Sequence, residues 1–320
     1  MSIDGQPDHD TIPFDPGARD LGIVVGFDGS PNSTQALRYG AGIAARRGVQ
    51  LTVITTYRAP VPVYGAYAAV PAQREDEANR RRAQTALDEA AVLLEGHRGE
   101  VSYMTAEGDS VGTLADASAN AQLVVVGARG RGGFLGLVRG SVATTLPAHA
   151  RCPTIVVPGE DQEEPAPTSA PVVVGMDESQ RSRVAALHAA QVARERGTSL
   201  LVLMALPMPV SELSWYPELS PDAEGIAERR RQELQAVLEQ DIAWIRAQVP
   251  AIEVAGEVRI GEPAVVLHDA IGESQLTVVG TRGRGAVRRV LLGSTSRAIL
   301  HEAEGAVMIV PHLQDERLPS

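Results

Sequence analysis

Short apolar runs rich in Val and Ile alternate along the chain with longer, more polar stretches rich in Ala and Arg. The apolar runs favour β-strands and the polar stretches favour helices. Strands that alternate with helices imply a parallel sheet covered on both faces. In the first half, the pattern predicts strands at 23–25, 51–55, about 100–106, 122–126 and 154–157, and helices from Pro31 (N-cap Ser30) to Gly48, at 72–95, at 110–119 and from Ser141.

The second half of the chain repeats the first. GIVVGFDGS (22–30) matches PVVVGMDES (171–179), and PTIVVP (153–158) matches AVMIVP (306–311). The chain is therefore predicted to hold two copies of one doubly wound α/β domain. The predicted segments are a disordered leader at 1–19, a domain at 20–158, an acidic, Pro-rich linker at 159–170, a domain at 171–312 and a tail at 313–320.

The charge balance excludes several classes of function. The net charge of the 320 residues is −11, which argues against nucleic-acid binding. All 29 basic residues are arginine, so the lysine-dependent P-loop, kinase and Schiff-base chemistries are excluded. No apolar run approaches the roughly 20 residues of a membrane span, and the acidic N-terminus does not resemble a secretory signal. A cytoplasmic protein without membrane contact is expected.

Each predicted fourth strand runs into a glycine-rich loop. We name residues 127–141 (GARGRGGFLGLVRGS) the first glycine loop and residues 280–294 (GTRGRGAVRRVLLGS) the second. Glycine lacks a Cβ and permits a positive φ, so successive N–H groups can turn into one concavity that binds an anion. The closing Gly-Ser pair begins a helix, whose free N–H groups and dipole favour phosphate. A mobile surface loop is the alternative, but the repeated spacing disfavours it.

The spacing G-x2-G-x9-G-[S/T], with an aspartate just after the first strand, resembles the ATP-binding type of universal stress protein. The resemblance covers 20–158 and 171–312. It implies a tandem form with the flavodoxin-like strand order 3-2-1-4-5 in each domain. It also implies one adenine nucleotide per domain, ATP with or without Mg²⁺, and a role in stress or dormancy. The fifth strands would pair, either within one chain or between the chains of a homodimer.

Transferred by position, the resemblance places each nucleotide across the first and fourth strands. Adenine and ribose would contact Gly26, Asp28 and Thr56 in the first domain and Gly175, Asp177 and Ala205 in the second. The loop residues that would wrap ribose and phosphates are Gly127, Ala128, Arg129, Gly130, Arg131, Gly132 and Gly133, and Gly280, Thr281, Arg282, Gly283, Arg284, Gly285 and Ala286. The helix starts that would hold phosphate are Gly140, Ser141 and Val142, and Gly293, Ser294, Thr295 and Ser296.

Several of these residues have a structural alternative. Asp28 and Asp177 could cap helices or be solvated instead of contacting a ligand. The loop arginines could neutralise phosphates bidentately or face solvent. The three-arginine runs at 80–82 and 229–231 are interpreted as solvated helix faces. Cys152, the one cysteine, is interpreted as a buried structural thiol.

The two sites are not expected to be equivalent. Pro147 lies in the helix that follows the first glycine loop, where its missing N–H predicts a kink. Arg288 and Arg289 lie in the second glycine loop, where their charges would strengthen phosphate binding. The second site is therefore predicted to bind ATP more tightly, and with a steeper dependence on salt.

Three functions remain open. The first is a nucleotide-binding signalling or regulatory protein. The second is a slow ATPase or nucleotide transferase, although no general base or paired carboxylates for metals are evident. The third is an interaction scaffold that works without nucleotide. We favour the first, with no catalytic residue and no protein-bound metal assigned.

Overall fold

The computed structural model of the chain describes residues 11–59, 72–130, 140–159, 167, 169–207, 223–283, 292–302 and 304–318. In the first domain the strands are β1 Gly22–Gly26, β2 Leu51–Tyr57, β3 Val101–Glu107, β4 Ala121–Gly127 and β5 Thr154–Val157. The helices are α1 Pro31–Arg47, α2 Ala72–Leu93, α3 Ser110–Ala117 and α4 Ser141–His149.

The second domain repeats this order. Its strands are β6 Val172–Met176, β7 Leu200–Leu206, β8 Val254–Ile260, β9 Leu276–Gly280 and β10 Val307–Val310. Its helices are α5 Gln180–Arg196, α6 Ala223–Gln248, α7 Pro263–Ile271 and α8 Ser294–Glu302. The predicted elements of the first domain are confirmed, with small differences at their ends. For example, β2 extends to Tyr57 because Thr56 and Tyr57 continue to pair with β3.

The ten strands of the described ranges form one sheet, in the order β3-β2-β1-β4-β5-β10-β9-β6-β7-β8. Each half has the expected order 3-2-1-4-5. Helices α1, α2, α5 and α6 cover one face, and α3, α4, α7 and α8 cover the other. The central strands are apolar on both sides for this reason: Val24 and Val25 are both fully buried, on opposite faces of β1.

Local sequence signals set the ends of the first helix in each domain. The Ser30 hydroxyl accepts a hydrogen bond from the Ser33 N–H at 3.2 Å, which caps α1 as predicted. Gly48 ends the same helix in the left-handed conformation, with φ 64°. Ser179 and Gly197 do the same for α5.

The two domains join through their fifth strands, within one chain. β5 and β10 are antiparallel, with Val156 opposite Val307, whereas each domain's own strands are parallel. On one face of this junction, the Arg47 Nε of α1 donates to the Glu195 carboxylate of α5 at 3.0 Å. The strand direction reverses at the junction. The carboxyl ends of the first domain's strands and those of the second domain's strands therefore lie at opposite ends of the sheet, measured along the strand direction.

Residues 11–19 differ from the expectation of a disordered leader. The Ile12 N–H donates to the His312 carbonyl, and the Ile12 carbonyl accepts from the Gln314 N–H, each at 2.8 Å, which ties this segment to the end of the second domain and to the C-terminal tail. The Arg19 side chain is 8% exposed, and its Nη1 donates to the carbonyls of Ser118 and Ala121 at 2.6 and 2.9 Å. These carbonyls gain a charge-assisted partner, so the order of the segment has a physical reason. Residues 1–10 lie outside the described residues.

The strand junction predicts a large effect of charge at its centre. Val156 and Ile309 are fully buried there. Val156→Arg or Ile309→Arg leaves an uncompensated charge in the interface, so we expect the free energy of unfolding to fall by about 3–5 kcal/mol. We also expect a larger radius of gyration in small-angle X-ray scattering, because the domains separate.

Val92→Arg is the matched control, since Val92 is 65% exposed on α2. It should change the free energy of unfolding by no more than about 0.5 kcal/mol. Equal unfolding midpoints and equal radii for all three variants would contradict the junction.

Candidate nucleotide-binding site

A cavity of about 660 Å³ opens at the carboxyl ends of the second domain's strands. Its volume lies within the range of roughly 300–1,000 Å³ that small-molecule sites occupy. It brings together residues that are far apart in the sequence but were predicted to share one site. These residues are Gly175, Asp177, Ala205, Gly280, Arg282, Gly283, Gly293, Ser294, Thr295 and Ser296.

The aspartate after the first strand holds a turn rather than capping the helix. Asp28 Oδ1 accepts from the Ser30 N–H at 3.0 Å, and Asp177 Oδ1 accepts from the Ser179 N–H at 3.2 Å. The helices are capped by the serines, so the capping alternative for the aspartates is wrong. Each carboxylate is instead fixed in direction at the end of its strand.

The second carboxylate oxygen explains the second glycine of each glycine loop. A Cβ at Gly130 would lie 2.6 Å from Asp28 Oδ2, and a Cβ at Gly283 would lie 2.5 Å from Asp177 Oδ2. The described glycines of both loops do not have a positive φ, which differs from the expected use of glycine. The backbone passes directly against the carboxylate, so a side chain at this position would force the carboxylate to move.

The base of each glycine loop is closed by a backbone hydrogen bond. The Gly140 N–H donates to the Ala128 carbonyl at 2.8 Å, and the Gly293 N–H donates to the Thr281 carbonyl at 2.7 Å. The helix begins at the next residue in both domains. Its first N–H groups have no intrahelical acceptor, so they remain available to an anion.

The serines at the helix starts have different surroundings. Ser141 and Ser294 are exposed. Ser296 is buried, and its hydroxyl donates to the Gly280 carbonyl at 2.7 Å. This bond ties the first turn of α8 to the end of β9, so Ser296 positions the helix. Its predicted contact with phosphate stays a prediction, as do those of Ser141, Val142, Ser294 and Thr295.

Some of the predictions fall on parts of the glycine loops that the structure does not describe. The residues outside the described ranges are Arg131, Gly132, Gly133, Arg284, Gly285, Ala286, Arg288 and Arg289. The stronger binding expected from Arg288 and Arg289 stays a prediction.

The helix with the internal proline has the same length as its counterpart. Helix α4 continues through Pro147 to His149 and has nine residues, as does α8.

The cavity has walls that the sequence interpretation missed. One wall is apolar and comes from β7, α6 and α7. A charged pair lies beside it: Arg230 Nη2 is 3.1 Å from Glu178 Oε2. The missed lining residues are Met176, Glu178, Ser182, Leu203, Met204, Leu206, Pro207, Arg230, Leu234, Pro263, Val266, Leu267 and Val279.

Arg230 corrects the interpretation of the three-arginine run at 229–231. Its neighbour Arg231 pairs with Glu228 on the exposed helix surface, as interpreted. Arg230 also pairs with Glu233 on its own helix, but in addition it lines the cavity and bridges α6 to the turn after β6. The acidic residue next to Asp177 was the available signal, because it offers a partner to an arginine that would otherwise be solvated.

Two other groups behave as structural residues. Cys152 is fully buried, and burial raises the pKa of its thiol to about 12, so it is not a nucleophile at neutral pH. Burial lowers the pKa of His188 to about 4, and its ring packs edge-on against Phe14 at 5.6 Å between centroids.

Within the described ranges, no group of three or more His, Cys, Asp or Glu side chains could hold a metal ion. In the same ranges, no helix is long and apolar enough to cross a membrane.

Comparison with known proteins agrees with this architecture. The universal stress protein family matches residues 22–158 and 169–311. A universal stress protein of Mycobacterium tuberculosis is 33% identical over 319 residues, covering 94% of this chain and 98% of its own. One from Mycolicibacterium smegmatis is 34% identical over 301 residues, covering 92% and 98%. The chain belongs to the universal stress protein family, in its tandem form.

A solved structure supports the same fold. The crystal structure of a universal stress protein from Archaeoglobus fulgidus aligns with a TM-score of 0.64 at 20% identity. The alignment covers 92% of this chain and 99% of that one. At this level of identity, the likeness concerns the fold.

The first glycines of the two loops predict different outcomes for the same substitution. A Cβ at Gly127 would lie 2.6 Å from the Asn32 backbone carbon and oxygen, whereas a Cβ at Gly280 would have no neighbour closer than 3.4 Å. We expect Gly127→Ala to lower the free energy of unfolding by about 1–3 kcal/mol through overpacking. Gly280→Ala is the matched control and should change it by no more than about 0.5 kcal/mol. Urea denaturation measures both, and equal losses would refute the close approach at Gly127.

Proposed function

We propose that the chain binds one adenine nucleotide, ATP, in each domain, and that it acts in the cytoplasm as a nucleotide-dependent regulator of stress or dormancy. The observation that carries the proposal is the juxtaposition of three features in one cavity. A helix start with free N–H groups, a fixed carboxylate and an apolar wall meet at the carboxyl ends of the strands.

Each feature suits one part of the nucleotide. The first turn of α8 and the Arg282 side chain supply donors and positive charge for phosphates without any lysine. The Asp177 carboxylate offers acceptors that suit ribose hydroxyls. The apolar wall, which includes Leu203 and Val266, suits a base. The first domain has the same carboxylate, glycine and helix start at Asp28, Gly130 and Ser141.

Binding explains the site better than catalysis. The carboxylates of Asp177 and Glu178 follow β6, but Glu178 is already bonded to Arg230. The described residues supply no cluster of acids for metal ions, so Mg²⁺ would be held chiefly by the phosphates of the nucleotide. Slow hydrolysis is the alternative that charge neutralisation at the helix start would allow. A nucleotide-independent scaffold would leave the cavity without a role.

Asp at the N-cap of α4 tests the proposal without harming the fold. Gly140 has φ −76° and ψ 160°, which any residue can adopt, and a Cβ there would have no neighbour closer than 3.5 Å. Asp is a better N-cap than Gly by a few tenths of a kcal/mol, so stability should be kept or raised. Its carboxylate would occupy the free N–H groups and repel phosphate. We expect Gly140→Asp, and Gly293→Asp in the second domain, each to abolish one of two ATP sites in titration calorimetry.

Asn is the matched neutral control, because it also caps a helix but carries no charge. Gly140→Asn should weaken ATP binding less than Gly140→Asp, by roughly tenfold or more in affinity. Unchanged stoichiometry and affinity in both Asp variants would refute the phosphate assignment. Mass spectrometry of nucleotide released from the purified protein identifies the base in the same preparations.

A further inference from the structure

The end of β2 and its counterpart in the second domain can be compared residue by residue. Gly26 of β1 pairs with Ile54, and Gly175 of β6 pairs with Leu203. Counting two residues on from each partner, Thr56 of the first domain is equivalent to Ala205 of the second.

The helices that pack on these strands fix a second equivalence. A Cβ at Gly26 would lie 2.8 Å from Leu114 Cδ1, and a Cβ at Gly175 would lie 2.7 Å from Leu267 Cδ1. Counting back from these leucines, Ser110 is equivalent to Pro263, and Thr113 is equivalent to Val266.

In the second domain these positions form a purely apolar surface. Ala205, Pro263 and Val266 all line the cavity. Their side chains have neither a hydrogen-bond donor nor an acceptor. A base that rests on this surface is held there by shape and apolar contact.

In the first domain the same surface carries hydroxyl groups. Thr56 Oγ1 and Ser110 Oγ are 2.6 Å apart, and both residues are half-buried. One hydroxyl hydrogen is used between them. In the part of the chain that the structure describes, the hydrogen of the other hydroxyl has no acceptor. The pair can therefore donate one hydrogen bond to a ligand and accept further hydrogen bonds from it. Thr113 is also half-buried and adds a third hydroxyl.

The same backbone hydrogen bond lies next to both walls. The Gly108 N–H donates to the Tyr57 carbonyl at 2.9 Å, and the Gly261 N–H donates to the Leu206 carbonyl at 3.0 Å. The walls are therefore alike in this backbone contact and differ in the side chains at the three equivalent positions, and Pro263 also lacks the backbone N–H that Ser110 has.

We infer that the two sites select purine nucleotides differently. The first site recognises polar groups on the base through Thr56 and Ser110, and the second accepts a wider range of purine nucleoside triphosphates by apolar contact. The inference rests on the proposed function. Its physical basis is that a site built to hydrogen-bond a group rejects an analogue without it, whereas an apolar surface discriminates weakly.

The test uses the full chain with one site disabled. Gly293→Asp leaves the first site and Gly140→Asp leaves the second. Each is titrated with ATP and with purine riboside triphosphate, which lacks the 6-amino group. We expect the first site to prefer ATP by roughly tenfold. The second site should show a preference of less than about threefold.

Hydroxyl removal then identifies the residues. Thr56→Val with Ser110→Ala, in the Gly293→Asp background, should reduce the preference of the first site to that of the second. Ala205→Thr with Pro263→Ser, in the Gly140→Asp background, is the reciprocal exchange and should raise it. A hydroxyl pair that only ties β2 to α3 would change the melting temperature and leave the ratio of the two affinities unchanged, which would overturn the inference.

The outcomes separate the two proposals. If the wild-type chain binds no ATP, the proposed function fails and the inference fails with it. If both sites bind ATP with equal preference over the analogue, only the inference fails.

Discussion

The close approach between the second glycine of each glycine loop and the carboxylate after the first strand is the constraint on which the site depends. A methyl group at Gly130 or Gly283 would displace the carboxylate of Asp28 or Asp177 from its present position. This approach joins the ends of the first and fourth strands, where a doubly wound sheet binds ligands. It also places a carboxylate beside a helix start that favours anions. A ligand that has hydroxyl groups for the carboxylate and phosphate groups for the helix start fits the two features together.

The pairing of β5 with β10 gives the two sites a fixed relation. One continuous sheet joins the domains, but the reversal of strand direction places the sites at opposite ends of the sheet along the strand direction. The sites therefore cannot share a ligand, although their domains share a core. The aspartate, the glycine loop and the helix start are alike in both domains, whereas Thr56 and Ser110 of the first domain are replaced by Ala205 and Pro263 in the second.

The sequence predicted the fold and the juxtaposition of the aspartate, the glycine loop and the helix start, because these depend on local signals. Apolar runs and the caps at Ser30 and Gly48 define elements, and the spaced glycines define a loop. The charged pair of Arg230 and Glu178 was missed because its partners are 52 residues apart and α6 alone reads as a solvated helix. The order of residues 11–19 was missed because the buried partners of Arg19 come from distant loops. The reason for Gly130 was missed because a glycine can be needed either for a positive φ or for its missing Cβ. The sequence alone does not distinguish these two needs.

The most direct test of the central claim is a crystal structure of the full chain grown with a non-hydrolysable ATP analogue. The account predicts one nucleotide in each domain, at the carboxyl ends of that domain's strands. The phosphates should accept hydrogen bonds from the first N–H groups of α4 and α8, and the ribose hydroxyls should lie on Asp28 and Asp177. Empty helix starts at saturating analogue, or phosphates bound elsewhere on the chain, would contradict it.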